Sequence, residues 1–114
     1  MSEQATVQAA RVKLSNGPVR LFRNNCGALQ DKNGTWVRYG LCVGSSDLIG
    51  WQTLTVTTDM VGSKVAVFVA LEGKSETGST TSEQTAFISA VESAGGIAGV
   101  FRSVDEAAKL LGVK

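Results

Sequence analysis

The sequence Glu72-Gly73-Lys74 stands at the exit of the most hydrophobic run of the chain, Val65-Ala66-Val67-Phe68-Val69-Ala70-Leu71. In a strand, residues two apart point to the same face, so Glu72 and Lys74 project together. Gly73 between them leaves the backbone open to close approach by a ligand. Asp47 supplies a second carboxylate, at a strand start after the turn Val43-Gly44-Ser45-Ser46 and just before the apolar run Leu48-Ile49-Gly50-Trp51. Two carboxylates from adjacent strands can hold Mg²⁺ or Mn²⁺ through oxygen ligands, and a lysine beside them can orient or activate a water. Phosphodiester hydrolysis needs those three functions and no histidine. The competing readings are structural: a surface ion pair for Glu72 and Lys74, and turn capping for Asp47.

The chain contains no histidine. A Ser-His-Asp triad, a Cys-His pair and a histidine-ligated zinc site are therefore excluded, and Ser45 and Ser46 have no base partner for a nucleophilic role. Cys26 and Cys42 are too few for a disulfide framework and form no CxxC pattern, so both are expected to be reduced and dispensable for chemistry. No basic-then-apolar segment opens the sequence and no apolar run approaches bilayer length, which points to a cytoplasmic protein with no membrane partner. Net charge is +1, but unevenly spread. Up to Arg38 there are six basic residues against Glu3 and Asp31; the remainder carries five basic and eight acidic residues. A basic N-terminal third could face phosphates while an acidic remainder holds cations, or both could be solvated surface. Arg23 and Arg38 are the basic residues expected to bind nucleic acid. Asn24 and Asn25, beside Arg23, either form a turn or hydrogen-bond phosphates and splayed bases. Trp36 and Trp51 suit a core or sheet face better than a base-stacking platform.

The elements that must position these residues follow from periodicity. Ser2 to Ser15 reads as a helix stopped by Asn16-Gly17-Pro18, and Val19 to Phe22 as a strand. Asp31-Lys32-Asn33-Gly34 is a turn between that strand and the next, Trp36 to Cys42. Gln52 to Thr57 and Lys64 to Lys74 are expected to form a hairpin across Asp59-Met60-Val61-Gly62-Ser63. Its second strand, apolar on both faces, should lie inside a sheet. Thr81 with Gln84 fits a capping box for a long helix ending at Gly95-Gly96. Ile97 to Phe101 is a short strand, and Ser103 with Glu106 caps a last helix. The 114 residues make one domain, with the order α-β-β-β-β-α-β-α.

Taken together, the motifs carry a resemblance. Asp47 followed by Glu72-x-Lys74 is similar to the PD-(D/E)xK nuclease signature. Arg23-Asn24-Asn25-Cys26-Gly27, Arg38-Tyr39-Gly40, Gly44-Ser45-Ser46-Asp47-Leu48-Ile49-Gly50-Trp51, Glu72-Gly73-Lys74 and Ser82-Glu83-Gln84-x-x-Phe87 occur in order, then Gly95-Gly96-x-Ala98-Gly99-Val100 and Arg102-Ser103-Val104. This series resembles the virus-type replication-repair nuclease (VRR-NUC) family, particularly its short stand-alone phage members. The resemblance implies an α/β fold with a restriction-endonuclease-like core, a central mixed β-sheet flanked by helices. It implies that Asp47 and Glu72 bind the metal, joined by the Gly73 carbonyl, with Lys74 at the attacking water or scissile phosphate. Gln84 would complete the site, or serve only as the capping partner. Glu3 is the candidate for the further acidic residue that relatives carry on the first helix, and Ser46 joins the nucleic-acid-binding set. Gly73 replaces a β-branched residue common in relatives, a change that a backbone carbonyl ligand survives. The stand-alone relatives point to a homodimer acting on branched DNA such as four-way junctions. Alternatives are a catalytically inactive DNA-binding or assembly module, and a related nuclease acting on RNA.

Overall fold

The computed structural model describes residues 2–113. Three helices and six strands occur among them, in a mixed α/β arrangement: α1 (Glu3–Leu14), β1 (Val19–Arg23), β2 (Gly27–Gln30), β3 (Trp36–Tyr39), β4 (Leu48–Gln52), a single 3₁₀ turn (Thr58–Met60), β5 (Val69–Gly73), α2 (Ser82–Ser93), β6 (Ile97–Phe101) and α3 (Val104–Leu111). Among these residues, no helix is long and apolar enough to cross a membrane. Two compact units arise, one ending at Gln52 and the other beginning at Thr53.

In the first unit, the Ser2 hydroxyl accepts from the Ala5 amide and starts α1, satisfying one of the orphan N–H groups of a helix N-terminus. Helix α1 packs on β1. Strand β1 runs antiparallel to β4, Arg23 opposite Leu48 and Val19 opposite Gln52. Gly50 permits this pairing, because a Cβ there would overlap the Arg20 carbonyl and lie 3.0 Å from the Leu21 Cα. A separate hairpin pairs β2 with β3, Gly27 opposite Tyr39. Its turn is closed by the Asp31 carboxylate, which accepts from the amides of Asn33 at 2.8 Å and Thr35 at 2.9 Å. The turn falls where its residues indicate, but the strand entering it is Gly27–Gln30 and not Val19–Phe22. Gly-Ala-Leu-Gln carries no β-branched residue, so local propensity is silent; the side-chain bonds of the turn and the opposing Trp36–Tyr39 create that strand.

The second unit is built on a parallel pair. Strand β5 lies beside β6, Val69 opposite Ile97 and Gly73 opposite Phe101, with α2 as the connecting helix. Helix α2 packs on both strands and α3 on β6. Val91 of α2 and Ala98 of β6 are the buried core residues. Gly99 leaves room for Leu110 of α3, whose Cδ2 would sit 2.8 Å from a Cβ at that position. Ser103 caps α3 by accepting from the Glu106 amide, and Gly112 ends it in the left-handed region at φ +69°.

The hairpin expected over Gln52 to Lys74 is not formed. Strand β4 stops at Gln52, the 3₁₀ turn follows, and β5 begins only at Val69. The β-branched residues between them face solvent, Val56 at 75 %, Val61 at 87 %, and Val65 and Val67 each at 51 % exposure. β-propensity rewards packing against a neighbouring strand, and within the described chain these residues have none. A Thr57 hydroxyl bond to the Asp59 carboxylate at the 3₁₀ turn is the local alternative the chain takes. Nor is the apolar strand covered on both sides, since Val69 is 43 % exposed.

Candidate active site

Helix α2 and strand β5 bring Glu72, Lys74 and Gln84 together. The parallel ladder continues one residue past β5, where the Lys74 amide donates to the Phe101 carbonyl at 3.0 Å. That bond fixes the backbone from which Lys74 extends. Its Nζ lies 3.6 Å from Glu72 Oε1, with 18 % of the lysine side chain and 32 % of the glutamate exposed. Gln84 Nε2 donates to the same Oε1. Both contacts use one oxygen, leaving Oε2 available as a hard donor.

Gln84 also completes the capping box. Its Oε1 accepts from the Thr81 amide at 2.9 Å, and the Thr81 hydroxyl accepts from the Gln84 amide at 3.1 Å. The two roles read for Gln84 therefore coexist, because an amide has two ends. The cap engages the oxygen, so the NH₂ group faces Glu72. A shallow cavity of about 390 Å³ adjoins them, walled by Ala70, Leu71, Phe87 and Ile88.

Apart from Gly73, at the end of β5, the other site residues predicted from sequence lie in the first unit. Arg23 Nη2 donates to Gln4 Oε1 at 2.6 Å and to Asn25 Oδ1 at 3.1 Å. Its Nε is buried with no acceptor among the described residues. Asn24 is a clip: its Nδ2 donates to the Ser45 hydroxyl and the Ser46 carbonyl, its Oδ1 accepts from the Leu41 amide, and its own amide donates to the Asp47 carbonyl. The side-chain amide is thus committed to holding the turn before Asp47. The Asp47 side chain is exposed, as are Ser46, Arg38 on β3 and Glu3 in the first turn of α1. Gly73 is exposed, and a Cβ there would meet the Phe101 ring at 3.1 Å.

Sequence reading missed two residues. Gln4 holds Arg23 across nineteen positions, for which no local pattern exists. Arg102 donates to the Gly78 carbonyl at 2.8 Å and tethers the polar loop that follows Lys74. It falls inside the quoted Arg102-Ser103-Val104 segment, the only signal that singled it out.

The VRR-NUC domain family matches residues 5–105, most of the chain. The chain belongs to the VRR-NUC family. No curated protein and no solved structure matches it. A VRR-NUC domain is of nuclease type, with DNA as its partner. Among the described residues no three acidic or cysteine side chains cluster as a ready metal cage. A carboxylate with one oxygen spare suits a hard divalent cation that keeps several waters and takes one or two protein carboxylates.

The double use of Gln84 can be separated in this VRR-NUC domain. Gln84→Glu keeps an oxygen for the Thr81 amide but places a carboxylate against Glu72. We expect helix content and thermal midpoint near wild type and turnover reduced by roughly 10–100-fold. Circular dichroism with a single-turnover cleavage assay checks this. Unchanged turnover would make Gln84 a cap alone.

Proposed function

We propose that this chain is a Mg²⁺- or Mn²⁺-dependent endonuclease that cuts branched DNA as a homodimer. The Glu72–Lys74–Gln84 cluster carries the reading. A carboxylate with a spare oxygen, oriented by an amide and flanked by a cation, supplies part of what metal-assisted phosphodiester hydrolysis uses, and Asp47 is read as the second carboxylate. In this reading Glu72 and Asp47 hold the metal, with the Gly73 carbonyl as a further ligand and Glu3 as an additional acidic one. The metal, when bound, supplies Lewis acidity and lowers the pKa of a coordinated water. Lys74 positions the attacking water and offsets charge developing on the phosphate. Gln84 fixes the orientation of Glu72.

Arg23 supports nucleic acid as the ligand, since its guanidinium is held by the neutral side chains of Gln4 and Asn25 and no carboxylate pairs with it among the described residues, leaving its charge for a phosphate. Asn25 beside it, with Arg38 and Ser46, would extend the backbone contacts. In this reading residues 1–114 work as one nuclease domain in the cytoplasm, that of a host cell if a phage encodes it. The exposed apolar side chains of Val56, Val61, Val65 and Val67 support self-association, because β-branched residues left in solvent gain by burial against a second copy. A symmetric dimer also supplies the two cuts, related by a two-fold axis, that resolve a four-way junction.

Labelled linear duplex, flapped and four-way DNA, with a matched RNA, incubated with and without Mn²⁺, tests the reading alongside light scattering. Junction cleavage that needs metal, at least ~10-fold faster than on duplex and by a dimer, is expected. Metal-dependent binding without cleavage would make the chain an assembly module. Faster cutting of RNA would reassign the substrate, and monomers with and without junction DNA would reject the dimer.

A further inference from the structure

Both cysteines of the first unit lie on loops drawn together by one hydroxyl. Cys26 ends the connection from β1 to β2, and Cys42 sits in the connection from β3 to β4. The Ser45 hydroxyl lies 3.0 Å from Cys26 Sγ, bonds the Cys42 carbonyl at 2.7 Å and accepts from the Cys42 amide at 3.3 Å. Gly40, at φ +90°, turns the chain back so tightly that a Cβ there would lie 2.6 Å from the Cys26 Cα. Both thiols are exposed and neither is in a disulfide. The Cys26 thiol is held below its usual range, chiefly by the Ser45 hydrogen bond, with the amides of Cys42 and Leu41 assisting against desolvation. The Cys42 backbone and the Cys26 sulfur therefore share the Ser45 hydroxyl as a common neighbour. None of this belongs to the proposed hydrolytic chemistry.

We propose that Cys26 and Cys42 form a peroxide-responsive thiol pair, Cys26 the attacking sulfur and Cys42 the resolving one. The co-reactant is hydrogen peroxide or another hydroperoxide. The Cys26 thiolate attacks one peroxide oxygen, the O–O bond breaks, and hydroxide leaves and takes up a proton as water. The Cys26 sulfenic acid is then attacked by Cys42; the S–S bond forms, the S–O bond breaks, and the hydroxyl departs as water with the Cys42 proton. Two thiols lose two electrons to one peroxide, and a dithiol reverses the step. Ser45 can turn its single hydrogen from the Cys42 carbonyl to the Cys26 thiolate, which makes it a positioning residue. The disulfide ties together the two loops that carry Asn24 and Asp47, so the resting enzyme is reduced and oxidation restrains those loops.

The test is peroxide treatment of the full chain, alkylation, and peptide mass analysis without reduction, which reads the thiols whether or not the protein cuts DNA. Wild type is expected to lose two alkylatable thiols to a Cys26–Cys42 cross-link within one chain, with both restored by dithiothreitol. Mixing isotopically labelled and unlabelled chains separates this from a cross-link between chains. Cys42→Ser should stop at a dimedone-trapped sulfenic acid on Cys26, and Ser45→Ala should slow that trapping at least ~threefold. Two thiols still alkylatable in wild type, a cross-link solely between chains, or equal trapping of Cys42 in Cys26→Ser would overturn the proposal.

Discussion

Glu72→Gln is expected to abolish DNA cleavage while leaving the protein folded. Removing one charged ligand forfeits several kcal/mol of transition-state stabilisation, so turnover should fall by roughly 10³-fold or more. The fold should survive because glutamine keeps an Oε1 for Gln84, and the position is partly exposed, so no charge is stranded in a core. Asp47→Asn should behave alike. Its backbone carbonyl, not its side chain, accepts from Asn24, so the turn is retained. Wild-type activity should likewise vanish in EDTA and return with Mn²⁺. Single-turnover assays with circular dichroism as the control decide the matter. Full cleavage by either variant, from a preparation free of contaminating nuclease, would falsify the metal assignment.

Lys74→Ala is expected to separate turnover from binding. The lysine lies 3.6 Å from Glu72, where a fixed positive charge acts on the transition state more than on the bound substrate. Turnover should fall by about 10²–10³-fold. The dissociation constant for DNA should change by less than about fivefold, because one charge among several contributes little to total affinity. Arg23→Ala should do the reverse, weakening binding and flattening its salt dependence by about one phosphate's worth. Kinetic titrations over a salt series measure both. Equal losses of binding and turnover on Lys74→Ala would make the lysine a phosphate anchor.

What was legible in the sequence divides along physical lines. The starts of the last two helices were readable because caps are local: Thr81 with Gln84 and Ser103 with Glu106 each act within three residues of themselves. Glu72 and Lys74 were readable as a pair because strand alternation is fixed by backbone geometry. The spurious hairpin arose where composition was the sole guide. Val56, Val65 and Val67 have strand propensity, yet propensity is realised only against a partner, and β4 pairs with the distant β1 instead. Strand β2 was missed for the converse reason, since Asp31 and Trp36–Tyr39 impose it on a sequence with no preference. The bonds of Arg23 to Gln4 and of Arg102 to Gly78 join residues far apart in the chain, so no local periodicity marks them.

The parallel pairing of β5 with β6 also sets a time at which the site can exist. Lys74 gains its backbone anchor from Phe101, and Glu72 lies opposite Val100. During synthesis the chain emerges N-terminus first, and contacts distant in sequence cannot form until their later partner has been made. Glu72 and Lys74 leave the ribosome almost thirty residues ahead of the strand that holds them. Until Ile97–Phe101 has emerged, Glu72 and Lys74 stand on an unpaired strand, and their placement waits for that partner.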